Sequence, residues 1–80
     1  MNQAIIFVDR CEYNEQQKRV YFYAQASGQL INCFFQTLKS DREAIAGFEV
    51  NRFDYEDLAE KAIEDELFNQ QGEIEVEELL

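Results

Sequence analysis

Two alternating runs, residues 19–26 and 29–38, flank the dipeptide Ser27-Gly28, and this arrangement constrains the fold more than any other stretch. A two-residue loop with Gly supplies the positive φ that a primed hairpin turn requires. It also fixes the pairing. Ala24 faces Ile31, Phe22 faces Cys33 and Val20 faces Phe35, while Tyr23 meets Asn32, Tyr21 meets Phe34 and Arg19 meets Gln36. The first set is apolar and the second mixes aromatic with polar, so a one-residue slip would scramble two distinct faces. The hairpin predicts a sheet with one covered side.

The elements around it follow from local pattern. The apolar run at residues 4–8 predicts a strand, either covered on both faces or paired at the sheet centre. Residues 9–18 are polar apart from Cys11 and Tyr13; Asn14-Glu15-Gln16-Gln17 is a turn candidate, with Tyr13 opening a short strand before it. Ser40-Asp41-Arg42-Glu43 fits a capping box, starting a helix with Ile45 and Phe48 inward that ends near Val50-Asn51. Asp54 is the expected cap of a second helix, with Phe53 and Leu58 as its hydrophobic staple. Tyr55, Leu58, Ala59, Ala62, Ile63 and Leu67 then recur at helical spacing. Gly72 breaks that pattern, residues 73–77 alternate as a last strand, and residues 78–80 are expected to fray. The predicted fold is α+β: a mostly antiparallel sheet in the order β-β-β-α-α-β, with two helices on one face. Eighty residues predict one domain spanning 1–80.

Charge is uneven along the chain. Of a net −10, residues 1–40 carry four basic and three acidic groups, and residues 41–80 carry three basic and fourteen acidic ones. Such a field repels phosphate backbones and anionic membranes, so the expectation is no nucleic acid and no membrane. Met1-Asn2-Gln3 has no basic n-region, and no apolar stretch approaches a bilayer span. Two cysteines 22 positions apart make neither a disulfide framework nor a ligand set. The expected compartment is the cytoplasm.

Chemistry is sparse. The chain has no histidine, which removes the commonest general base and metal ligand. Its three glycines, Gly28, Gly47 and Gly72, are isolated and form no phosphate loop. The chain is therefore read as no enzyme, without cofactor or metal. Glu56, Glu60 and Glu64 recur every four residues as an acidic ridge, read as a solvated face or a contact for a basic partner. No EF-hand spacing supports a cation there. Cys33 falls on the apolar hairpin face as an inert thiol, while Cys11 beside Arg10 is a candidate for some thiolate character. Tyr21, Tyr23 and Phe34 gather on the other hairpin face. Tyr-rich patches of low charge suit protein contacts; the alternative is that a helix or the terminal strand covers them as core.

The segment Asn51-Arg52-Phe53-Asp54-Tyr55-Glu56-Asp57-Leu58-Ala59-Glu60-Lys61-Ala62-Ile63 resembles the DUF1488 family of small bacterial proteins. The opening Met1-Asn2-Gln3-Ala4-Ile5-Ile6-Phe7 with Asp9-Arg10 is also similar, as is the pattern of Val20, Phe22, Ala24, Gly28 and Cys33. The chain departs from it after Gly72, where the family tends to an aromatic and this sequence has Glu73. The resemblance covers nearly the whole chain and implies a small cytoplasmic α+β protein of proteobacterial type, with no established activity and no catalytic residues to transfer. Arg52 stands out within the matching segment, because neither capping nor apolar packing accounts for it. It is expected to pair with Glu49 or Glu56 in a structural ion pair.

The function expected is a non-catalytic protein-interaction or regulatory module. Its partner is an unknown protein, with self-association as a homodimer among the options. The alternative is an acidic nucleic-acid-mimic decoy that occupies a basic protein. A carboxylate-dependent metal-binding enzyme is the third reading.

Overall fold

The computed structural model describes residues 4–79. The elements run β1 (Ile6–Asn14), β2 (Arg19–Ala26), β3 (Gln29–Gln36), α1 (Asp41–Val50), α2 (Arg52–Glu64) and β4 (Ile74–Glu75). The strands lie side by side in the order β1-β2-β3-β4, antiparallel except for the β3–β4 pair. This is the α+β architecture read from the sequence.

The central hairpin has the expected register, from Arg19 opposite Gln36 to Ala26 opposite Gln29. Ser27 and Gly28 both hold positive φ, 54° and 75°, the geometry of a primed turn whose twist matches its strands. Val20, Phe22, Ala24, Ile31, Cys33 and Phe35 form the sheet side of the core. Ala44 and Phe48 from α1 and Tyr55, Ala59, Ala62 and Ile63 from α2 close over them, with Ile74 and Val76 filling the end. Phe35 and Tyr55 stack nearly parallel, 4.3 Å between centroids, and Phe48 packs 5.1 Å from Phe22. Such pairs add about 0.5–1.5 kcal/mol beyond the area they bury.

β1 corrects the reading of the N-terminal run. It is an edge strand, neither central nor covered on both faces, and it continues through the polar stretch as far as Asn14. Its register jumps between Phe7, opposite Ala24, and Cys11, opposite Phe22, so two extra residues are accommodated there. That bulge breaks the period of two and hides the strand from pattern reading. The turn follows at residues 15–18, where Asn14 Oδ1 accepts the Gln17 N–H at 2.9 Å.

The helix ends differ from expectation as well. Ser40 is the N-cap of α1, but its side chain makes no capping bond to backbone; the hydroxyl donates to Glu43 Oε1 at 3.2 Å. Asp54 does not cap α2. One residue, Asn51, ends α1 and starts α2, and its side-chain amide donates to the Gly47 carbonyl at 3.3 Å. Starting α2 at Arg52 places Phe53 inside the first turn, about 200° around the axis from buried Tyr55. Phe53 is consequently exposed, Leu58 is partly exposed as well, and Phe53 serves as no staple. At the other end α2 stops at Glu64, before Leu67 can join its apolar stripe. The Leu67 N–H donates to the Ala62 carbonyl and the Glu66 N–H to that of Ile63, with Glu66 at φ 58°. That bond pattern is a Schellman termination.

The terminal segment is held rather than frayed at residues 78 and 79. Thr37 Oγ1 donates to Glu78 at 2.7 Å, and the Leu79 N–H donates to the Tyr55 hydroxyl oxygen at 2.7 Å. Leu80, the last residue expected to fray, lies outside the described residues.

Candidate interaction face

Because both helices pack on the Phe22/Phe35 side, the opposite face of the sheet is its outer surface. Period-two alternation sends Tyr21 and Tyr23 of β2, and Leu30, Asn32 and Phe34 of β3, to that side. The three aromatics expected there do not share one environment. Tyr21 and Tyr23 are half-buried, whereas Phe34 is fully buried. Arg19 covers it: the guanidinium carbon lies 4.0 Å from the Phe34 centroid, and the Tyr21 ring closes the flank at 5.5 Å. Phe34 is therefore a floor for its neighbours and not a contact residue, a correction to the sequence reading.

The tyrosine hydroxyls are tied into charged pairs. Arg19 Nη1 donates to the Tyr21 oxygen at 3.0 Å and lies 3.8 Å from Glu73, while the Tyr21 hydroxyl donates to Gln17 at 3.1 Å. The Tyr23 hydroxyl donates to Glu12 at 2.7 Å, and Arg10 pairs with the same carboxylate at 2.7 Å while lying over the Tyr23 ring. Burial, followed by the bond to Glu12, pushes the Tyr23 phenol up to about 12. The Arg10 and Tyr23 hydrogen bonds hold the Glu12 carboxyl below its ordinary value, and Glu12 in turn raises Arg10. The rings are thus fixed in place by bonds at their tips, and each arginine beside them is paired with a carboxylate.

Sequence reasoning missed two members of this face. Ile6 and Leu30 flank Gln25 in register and are 60% and 58% exposed. Leu30 shares the parity of Asn32 and Phe34, and that signal was legible. Ile6 was hidden inside an apolar run that reads as core.

The remaining candidates fall elsewhere. Glu56 turns toward Arg52 Nε at 3.2 Å and leaves the ridge, while Glu60 and Glu64 stay exposed. Arg52 also reaches Asp9 at 3.0 Å and donates to the Val8 carbonyl at 3.3 Å, with its guanidinium over Phe48. The Asp9 and Val8 contacts required the β1 bulge and had no sequence signal. Cys11 faces the core and not Arg10; burial first, then Glu49, raises its thiol, which corrects the expectation of thiolate character. Cys33 is buried and pushed up to about 12. Among the described residues no group of three or more Cys, Asp and Glu side chains converges to hold a metal ion, and no helix is long and apolar enough to cross a membrane.

Comparison with known proteins adds relatives but no activity. The family model described as "Protein of unknown function (DUF1488)" matches residues 5–76. The uncharacterized protein YrdB of Escherichia coli (strain K12) is 34% identical, over 90% of this chain and 94% of that protein. YrdB of Shigella flexneri is 32% identical with the same coverage. A crystal structure of a DUF1488-family protein of unknown function from Shewanella loihica PV-4 superposes with a TM-score of 0.85 at 36% identity, covering 95% of this chain and 94% of that one.

Proposed function

The chain belongs to the DUF1488 family, whose members are described as proteins of unknown function, and we propose that it is a non-catalytic protein-interaction module working through the outer face of its sheet. One observation carries the reading: both helices pack on the same side of the sheet, leaving Tyr21, Tyr23, Ile6 and Leu30 on the other. Tyrosine suits such a face, since it offers a large rigid apolar area with few rotamers to freeze. The rings here are further restrained by their hydroxyl bonds, which lowers the ordering cost of association. The chain's lack of histidine supports the absence of acid–base catalysis.

The partner favoured first is a second copy. The chain carries −10 overall, yet on this face Arg10 pairs with Glu12 and Arg19 with Glu73, and Glu75, opposite Phe34 at the β4 edge, adds an exposed carboxylate. It is a surface on which two such molecules can approach with their excess charge turned outward.

Sedimentation velocity at several concentrations, on the natural chain and on a Tyr21→Ser/Tyr23→Ser variant checked for folding, tests this. A concentration-dependent dimer that the folded variant loses supports self-association. Affinity capture with both chains then asks whether another protein uses the same face. A monomer at all concentrations whose captures ignore the double variant would remove the face from consideration.

A further inference from the structure

We propose that the solvent face of α2, together with the end of α1, is a second docking surface, built for a basic protein segment that carries an apolar side chain. It does not depend on the sheet face. Phe53 is 78% exposed, and Val50, three positions earlier across the Asn51 junction, is 83% exposed. An isolated exposed apolar residue is ordinary. What distinguishes these two is their setting.

Helical spacing places Asp57, Glu60 and Glu64 in the row that runs from Phe53 along α2, and all three are exposed. Asp54 and Glu49 flank the apolar pair and are exposed too. Between residues 41 and 66 stand ten carboxylates and three basic groups. Of those three, Arg52 is engaged inward by Asp9 and Glu56, Lys61 lies 3.8 Å from Asp65, and Arg42 stands at the far end of α1 from Val50. The face therefore presents an aromatic head followed by a line of negative charge. Beside it lies a shallow groove of about 380 Å³ whose apolar lining is Leu58 and Leu79, bordered by Asp54, Asp57 and Lys61.

Charge complementarity selects the occupant. An apolar side chain of the segment packs on the exposed Phe53 ring and Val50, while its guanidinium groups pair with the carboxylates behind them. A second copy would set the same carboxylates against themselves across a two-fold axis. Nucleic acid would be repelled outright. A Lys/Arg-rich segment with one or two apolar residues is the chemistry that satisfies both halves of the surface.

Fluorescence anisotropy with a labelled synthetic peptide, Arg-Trp-Arg-Arg-Leu-Arg, and its charge-matched counterpart, Arg-Ser-Arg-Arg-Ser-Arg, tests the proposal. The apolar-containing peptide is expected to bind about tenfold more tightly, the difference that burying one side chain supports. Phe53→Ser should erase that preference without changing net charge. Glu60→Gln/Glu64→Gln should weaken both peptides and flatten the dependence on salt. Equal affinity of the two peptides for the natural chain, or a preference that survives Phe53→Ser, would overturn the proposal and leave only diffuse attraction. A change in sedimentation caused by Phe53→Ser would also overturn it, by assigning the patch to self-association. Should Phe53→Ser fail to fold, Val50→Ser carries the same expectation and the same overturning result.

Discussion

The guanidinium of Arg52 lies 3.0 Å from the carboxylate of Asp9, joining the first turn of α2 to the bulge in β1. The two partners are unequal. Arg52 is 19% exposed and also holds Glu56, the Val8 carbonyl and the Phe48 face, whereas Asp9 is 97% exposed. Arg52→Ala should therefore cost about 2 kcal/mol, since Glu56 and Val8 each lose a charged donor. Asp9→Asn should cost no more than about 0.5 kcal/mol, as a solvent-screened pair. Urea unfolding of both variants measures the asymmetry, and equal losses would contradict it.

Tyr55 links the core to the end of the chain through the bond from the Leu79 N–H. Tyr55→Phe keeps the ring stacked on Phe35 but removes that acceptor. Stability should fall by about 1 kcal/mol, and amide exchange at Leu79 should accelerate while that of the central hairpin changes only in proportion to global stability. Exchange at Leu79 as slow as before would mean that other contacts hold the segment.

Glu66 sits in the left-handed region at φ 58°, at the position of a helix terminus where glycine is usual. A side chain there costs about 1 kcal/mol, and a carboxylate near a helix C-terminus opposes the dipole. Glu66→Gly should raise stability by about 1 kcal/mol in chemical denaturation. An unchanged or lower midpoint would show that the glutamate makes a compensating contact.

Alkaline pH should destabilise the fold earlier than lysine or arginine titration alone would cause. Burial pushes the Cys33 thiol up to about 12 and, with Glu12, the Tyr23 phenol to about 12. The unfolded chain releases these protons near about 8.5 and about 10, while the folded chain retains them. The unfolded state then binds fewer protons, so stability is full below about pH 8.5 and is lost as pH rises toward 12. Urea midpoints at pH 8, 9.5 and 11 should decline in order, and Tyr23→Phe should flatten the upper part of the decline. A constant midpoint across that range would contradict the assigned burial.

Short-range chemistry was legible in the sequence wherever one local signal settled the matter. Ser27-Gly28 fixed the turn, the turn fixed the register, and the register placed Tyr21 against Phe34 and Phe22 against Cys33. Helical periodicity likewise identified Tyr55, Ala59, Ala62 and Ile63 as the buried side of α2, but it also counted Leu58 and Leu67, which are exposed. These follow from backbone geometry that acts over a few residues.

What only the tertiary structure decided was whatever depended on two distant segments meeting. The β1 bulge has no period to read, so the extent of the strand, its edge position and the Arg52–Asp9 pair became visible only with α1 and α2 in place. Arg19 buries Phe34 because Glu73, far along the chain, helps to hold the guanidinium over the ring. Phe53 reads as a staple until the helix start moves to Arg52, and three residues of shift carry its side chain from the core to solvent. Local propensities differ by only about 1 kcal/mol between such alternatives, so the larger gain from closing the shared core over Phe22, Phe35, Phe48 and Tyr55 decides among them.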